Sequence, residues 1–118
     1  MIIGEITIAE ELDELIRECA DDRYCLELLR FFGEYPRARF SELAVVHALN
    51  SNPGKKRLTR RALSQLADKG AIRVSTENNI SFYSLTEDEL LRRLASYLSK
   101  LDWYQWQRLL KQIYPTLG

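Results

Sequence analysis

Histidine is nearly missing from this chain, cysteine is scarce, and no apolar run is long. Each shortage excludes something. One histidine, His47, and two cysteines, Cys19 and Cys25, are fewer than the ligands a tetrahedral metal site needs, so no metal is expected. His47 reads as a structural or surface residue. On a continuous helix the six-residue spacing leaves the two thiols about 120° out of line. They are expected as reduced thiols of a cytoplasmic protein, with a redox role as the alternative. No run approaches the roughly 20 apolar residues of a membrane-spanning helix. The opening MIIGEITIAEELDEL turns acidic at once and has no basic stretch before an apolar one, so no secretory signal is expected. No phosphate-cradling glycine loop, HExxH or nucleophile motif occurs, so neither enzymatic activity nor a cofactor is expected. Internal repeats and low-complexity tracts are missing too.

What is present suits an ordered globular chain treated as one domain over 1–118: 118 residues, 46% hydrophobic and 29% charged. The net charge is zero, but the charges are segregated. Residues 1–22 carry eight acids against Arg17, residues 23–75 carry eleven bases against four acids, and residues 76–118 balance at five each. A phosphate-rich partner responds to the local field, so the middle third is the candidate surface.

The longest legible stretch starts at Leu58. In LTRRALSQLADKG, Leu58, Ala62, Leu63, Leu66 and Ala67 recur at helical steps, and Gly70 stops the helix. AIRVS and ISFYSL then read as strands joined by a loop of about four residues, Thr76, Glu77, Asn78 and Asn79, in which Asn tolerates positive φ. Thr86 and Glu89 have the spacing of a capping box, opening a helix with Leu90, Leu91, Leu94, Leu98 and Leu101 on its apolar face. Asp102 caps a last helix carrying Trp103, Trp106, Leu109, Leu110, Ile113 and Tyr114, stopped by Pro115.

Upstream, residues 2–8 read as an arm or short edge strand. Thr7 and Glu10 cap an acidic helix from about Ile8 to Ala20, burying Leu12, Leu15, Ile16 and Cys19. Asp21 or Asp22 caps DRYCLELLRFFGEY, with Tyr24 or Cys25, Leu28, Leu29 and Phe32 inward, ending near Gly33 and Pro36. A short strand is expected at 38–40. Ser41 then starts SELAVVHALN, packed through Leu43, Val46 and Leu49, before a loop of Ser51, Asn52, Pro53 and Gly54.

With Leu58, Ala62, Leu63 and Leu66 inward, Arg60, Arg61, Ser64, Gln65 and Asp68 face outward. Arg, Gln and Ser are residue types that read base edges in a major groove. Lys55, Lys56 and Arg57 precede them, where side chains and free backbone N–H groups hold phosphate. Arg37, Arg39, Lys69 and Arg73 extend the positive surface, with Arg37 and Arg39 expected on the phosphate backbone.

The stretch from about 23 to 94 resembles the winged helix-turn-helix DNA-binding domains of small prokaryotic transcription regulators, of the broad MarR and PadR type. LELLRFFGEYPRARFSELAVV matches their first helix, short strand and second helix. RRALSQLADKGAIRV matches recognition helix and wing strand, and FYSLTEDELLRRL the second wing strand and following helix. Leu63, Leu66, Gly70 and Ile72 keep a recurrent spacing. The resemblance implies a mainly α fold with a small β-hairpin wing: a winged core over 22–94, an N-terminal arm and acidic helix over 1–21, and C-terminal helices over 87–115. It implies double-stranded DNA as partner, with Arg60, Arg61, Ser64 and Gln65 reading bases. Arg37, Arg39, Lys55, Lys56, Arg57 and Arg73 would hold phosphate, and Asn78 and Asn79 would form the wing. The loop from Ser51 to Lys56 is longer than the usual turn, and the wing tip carries Glu77 but no base, which moves contact onto the helix. Helices flanking such domains often pair two subunits, giving Leu94, Leu98, Leu101, Trp103, Trp106, Leu110 and Ile113 as an expected homodimer seam. The other reading is that Trp103, Tyr104, Trp106 and Tyr114 close the core within one chain. The alternative is a winged helix used as a protein-interaction module in a larger complex. The acidic N-terminal helix is expected either to pack on the C-terminal helices or to contact a protein partner.

Overall fold

The structure, a computed structural model, describes residues 14–18, 23–49 and 56–114. The expectations for the arm at 2–8, Leu12, Cys19, the cap at Asp21 or Asp22, the loop at 51–54, Lys55 and Pro115 lie outside those residues.

The chain is mainly helical with one small sheet. Residues 14–18 are helical (α1). There follow α2 (Arg23–Glu34), β1 (Phe40–Ser41), α3 (Glu42–Leu49), α4 (Lys56–Asp68), β2 (Ile72–Glu77), β3 (Ile80–Leu85), α5 (Glu89–Ser99) and α6 (Trp103–Ile113). The sheet is antiparallel in the order β1-β3-β2. The expected short strand forms slightly later than 38–40, and pairs Phe40 with Tyr83 and Ser41 with Phe82. The expected hairpin is therefore three strands wide.

The expected four-residue hairpin loop is corrected to two. Thr76 and Glu77 stay in β2, opposite Ser81 and Ile80. Asn78 (φ 52°) and Asn79 (φ 66°) make the reversal alone. Two successive positive φ angles fit a type I′ turn, whose twist suits a hairpin.

Gly70 ends α4 as expected, at φ 77°. Ala71 N–H donates to Leu66 O at 2.9 Å and Gly70 N–H to Ala67 O at 3.1 Å. That pair of bonds is a Schellman closure, with Ala71 and Leu66 both buried beside it. The next helix start is corrected. Asp88, not Thr86, caps α5, its carboxylate accepting from Leu91 N–H at 3.0 Å. Thr86 is buried and its hydroxyl accepts from Asp88 N–H at 3.2 Å, a local turn that competes with capping. Asp102 caps α6 with a reciprocal box, accepting from Gln105 N–H at 2.8 Å while Asp102 N–H donates to Gln105 Oε1 at 3.0 Å.

One core joins Ile16, Cys25, Leu28, Leu29, Phe32, Val45, Leu63, Leu66, Leu94, Leu98 and Trp106. In α3 the expected inward Leu43 is corrected: it is 56% exposed, while Val45 is fully buried. Ser41 caps that helix, its hydroxyl accepting from Ala44 N–H at 3.2 Å. Gly33 lies within the last turn of α2 and is buried against α5. It marks a helix crossing as much as a helix end.

Candidate nucleic-acid interface

α4 is seated by Thr59, Ala62, Leu63 and Leu66, all buried and spaced i, i+3, i+4, i+7. Thr59 takes the place expected of Leu58, which is half-buried. The opposite side exposes Arg57, Arg60, Arg61, Ser64 and Asp68. Arg57 and Arg61 make no ion pair among the described residues. Lys56 is half-buried at the start of the helix.

The expectation of an outward Gln65 is corrected. It is half-buried, and its Oε1 accepts from the Cys25 thiol at 3.2 Å. Helical spacing places residue 65 on the margin between the two faces, and a buried donor on α2 pulls it inward.

Acids temper the positive surface. Arg60 Nε lies 3.0 Å from Glu42 Oε2, which joins α4 to the first turn of α3. Arg39 Nη1 meets Glu77 Oε1 at 2.8 Å, and its guanidinium lies 5.2 Å from the centre of the Phe82 ring. The Glu77 hydrogen bond, then its charge, raises the pKa of Arg39 above its ordinary value. Arg73 Nη1 is 3.4 Å from Glu87 Oε1. All three pairs are substantially exposed, so each adds little to stability while lowering the local positive potential. Burial, then the Glu42 carboxylate, raises the phenol of Tyr83 above its ordinary range.

Arg37 and Arg39 stand apart from α4. With Arg92 and Ser84 they line a groove to which α4 contributes no residue. Asn78 and Asn79 are exposed at the hairpin tip.

The expected dimer seam divides. Leu94, Leu98, Trp106 and Leu110 are buried in this chain's own core, which corrects their assignment to a second subunit. Leu101 and Ile113 are partly buried against the same core. Trp103 alone of the seven is fully on the surface, at 66% exposure, beside Tyr104 at 81%.

Sequence reasoning passed over Arg30. Its Nη2 donates to Leu101 O at 3.0 Å, and its guanidinium sits 4.6 Å from the centre of the Trp106 ring. It thereby closes the corner between α5 and α6. Glu27 and Glu34, three residues before and four after it, point instead to pairs along the helix surface. A cavity of about 580 Å³ beside it is lined by Phe31, Glu34, Tyr35 and Trp106. Among the described residues no three His, Cys, Asp or Glu side chains gather as metal ligands would. No described helix is long and apolar enough to cross a membrane.

Comparison with known protein families, with curated proteins and with solved structures finds no match to this chain.

Proposed function

We propose that the chain is a winged helix-turn-helix protein that binds double-stranded DNA and regulates transcription, without catalysis, inside the cell. The observation that carries this reading is the face of α4. Arg57, Arg60, Arg61 and Ser64 are exposed together, while Thr59, Ala62, Leu63 and Leu66 hold the helix down. The order helix, strand, helix, helix, hairpin supports it, as does the sheet order β1-β3-β2, in which β2 packs on α4. In this arrangement α4 lies in the major groove, Arg61 and Ser64 meet base edges, and Lys56 and Arg57 meet phosphates. Trp103, Tyr104 and Tyr97, exposed on α5 and α6, form the contact with a second copy.

The test is fluorescence anisotropy on a random duplex at low salt. The expected result is binding that weakens as salt rises and is lost when Arg57 and Arg61 are both changed to Glu. No binding at any salt overturns the reading. That outcome would favour a protein-interaction module, which the carboxylate pairing of Arg39, Arg60 and Arg73 supports. Light scattering tests the second copy. A mass of 13.8 kDa at micromolar concentration rejects a dimer.

A further inference from the structure

A second cationic site lies away from α4. The approach to β1, the end of β3 and the start of α5 enclose a groove of about 460 Å³, lined by Arg37, Arg39, Ser84, Glu87 and Arg92. The register that pairs Phe40 with Tyr83 sets Arg39 beside Ser84. Arg92 is half-buried, and its Nη1 donates to Thr86 O at 3.1 Å. One bond of that kind fixes the guanidinium while using one of its five N–H donors. Arg37 is exposed and forms no ion pair among the described residues. Three guanidinium groups therefore share one groove with a single lining carboxylate, Glu87, which is paired with Arg73 at 3.4 Å. Arg39 is paired with Glu77 at 2.8 Å, so Arg37 and Arg92 are the groove's cations without an ion pair among the described residues. Like charges so gathered repel, and an anion that accepts from several of them offsets the repulsion.

We propose that this groove binds a phosphate monoester of a small hydroxylated molecule. The dianion fits guanidinium forks bidentately and brings more charge and one more acceptor oxygen than a carboxylate does. The volume lies within the range of about 300–1,000 Å³ typical of small-molecule sites, and a concave pocket suits a compact ligand better than a duplex. The Ser84 hydroxyl supplies a donor to the phosphate. Glu87 at the rim supplies an acceptor for a ligand hydroxyl. The site shares no residue with the α4 face and stands or falls separately from DNA binding.

The experiment is an NMR titration of the full chain with glycerol 3-phosphate, with glycerol as the control. Amide shifts centred on Ser84, Glu87 and Arg92, absent with glycerol, are expected. Arg92→Gln should weaken binding at least tenfold. Because Arg92 also bonds the backbone, the exposed Arg37→Gln and the small change Ser84→Ala serve as second variants, and each should weaken binding several-fold. The Arg57→Glu, Arg61→Glu double variant should lose duplex binding and keep its affinity for glycerol 3-phosphate. No shifts, shifts centred on residues 57–64, or unchanged affinity in Arg37→Gln and Ser84→Ala would each overturn the proposal. So would loss of phosphate binding in the α4 double variant.

Discussion

Gly33 and Ala95 meet backbone to backbone, so closely that a methyl group added at Gly33 would fall on the Ala95 carbonyl. The contact lies where α2 crosses α5. Gly33→Ala is therefore expected to destabilise by about 1–3 kcal/mol through overpacking. For a domain of this size that lowers Tm by roughly 4–12 °C. The obstacle is a backbone carbonyl, so adding Ala95→Gly should not restore the loss. Differential scanning calorimetry of both variants checks this, and rescue by the second change would place the clash elsewhere.

Gln65 and Ser64 are neighbours with opposite duties. Gln65 accepts from Cys25 across the α2–α4 contact, whereas Ser64 is exposed. Gln65→Ala should cost about 1 kcal/mol in urea unfolding. Ser64→Ala should stay within about 0.5 kcal/mol. Equal effects would contradict the inward position of Gln65.

Glu42 holds Arg60 at 3.0 Å, half of an exposed pair. Glu42→Gln should leave Tm nearly unchanged but release a cation on the proposed DNA face. Duplex affinity at low salt should rise. If the freed guanidinium reaches a phosphate, the slope of log K against log salt should steepen by about 0.9. Weaker duplex binding in this variant would count against α4 as the contact surface.

The phenol of Tyr83 titrates above its ordinary value because of burial and then Glu42. A group whose pKa is raised by folding contributes stability that is fully present below its unfolded pKa, near 10 for tyrosine, and is lost as pH rises through the folded value. Stability should thus decline from about pH 10 upward, and Tyr83→Phe should flatten that decline. Chemical denaturation at a series of alkaline pH values measures the slope.

Much of the scaffold was legible in the sequence because local rules wrote it. The Gly70 closure and the Asp102 cap follow from short-range hydrogen bonding, and the apolar steps of α4 from helical period. The misplaced features arise where two local rules compete at similar strength or where the deciding contact is distant in sequence. Thr86 has a capping-box spacing with Glu89, but Asp88 lies closer to the helix and accepts the bond, while Thr86 folds into its own turn. Leu43 and Val45 are both apolar, and only tertiary packing decides which one turns inward. A wide apolar face such as Leu94, Leu98, Trp106 and Leu110 looks the same whether it covers its own core or another subunit. The ion pairs of Arg39, Arg60 and Arg73 join positions 14 to 38 residues apart, and helix or strand period says nothing about those partners. Gly33 reads as a stop in sequence because its near neighbour belongs to a helix more than sixty residues away.

The Schellman closure at Gly70 also sets an angular phase. It fastens the last turn of α4 to Ala71, and β2 begins at the next residue, so the azimuth of the helix is locked to the plane of the sheet. One residue inserted before Gly70 would rotate the upstream helix by about 100° relative to the hairpin. The guanidinium groups at 57 and 61 would then leave the outer face by that angle, and part of the buried stripe of Thr59, Ala62, Leu63 and Leu66 would surface. Length drift in this helix is therefore far less tolerable than substitution on its outer face.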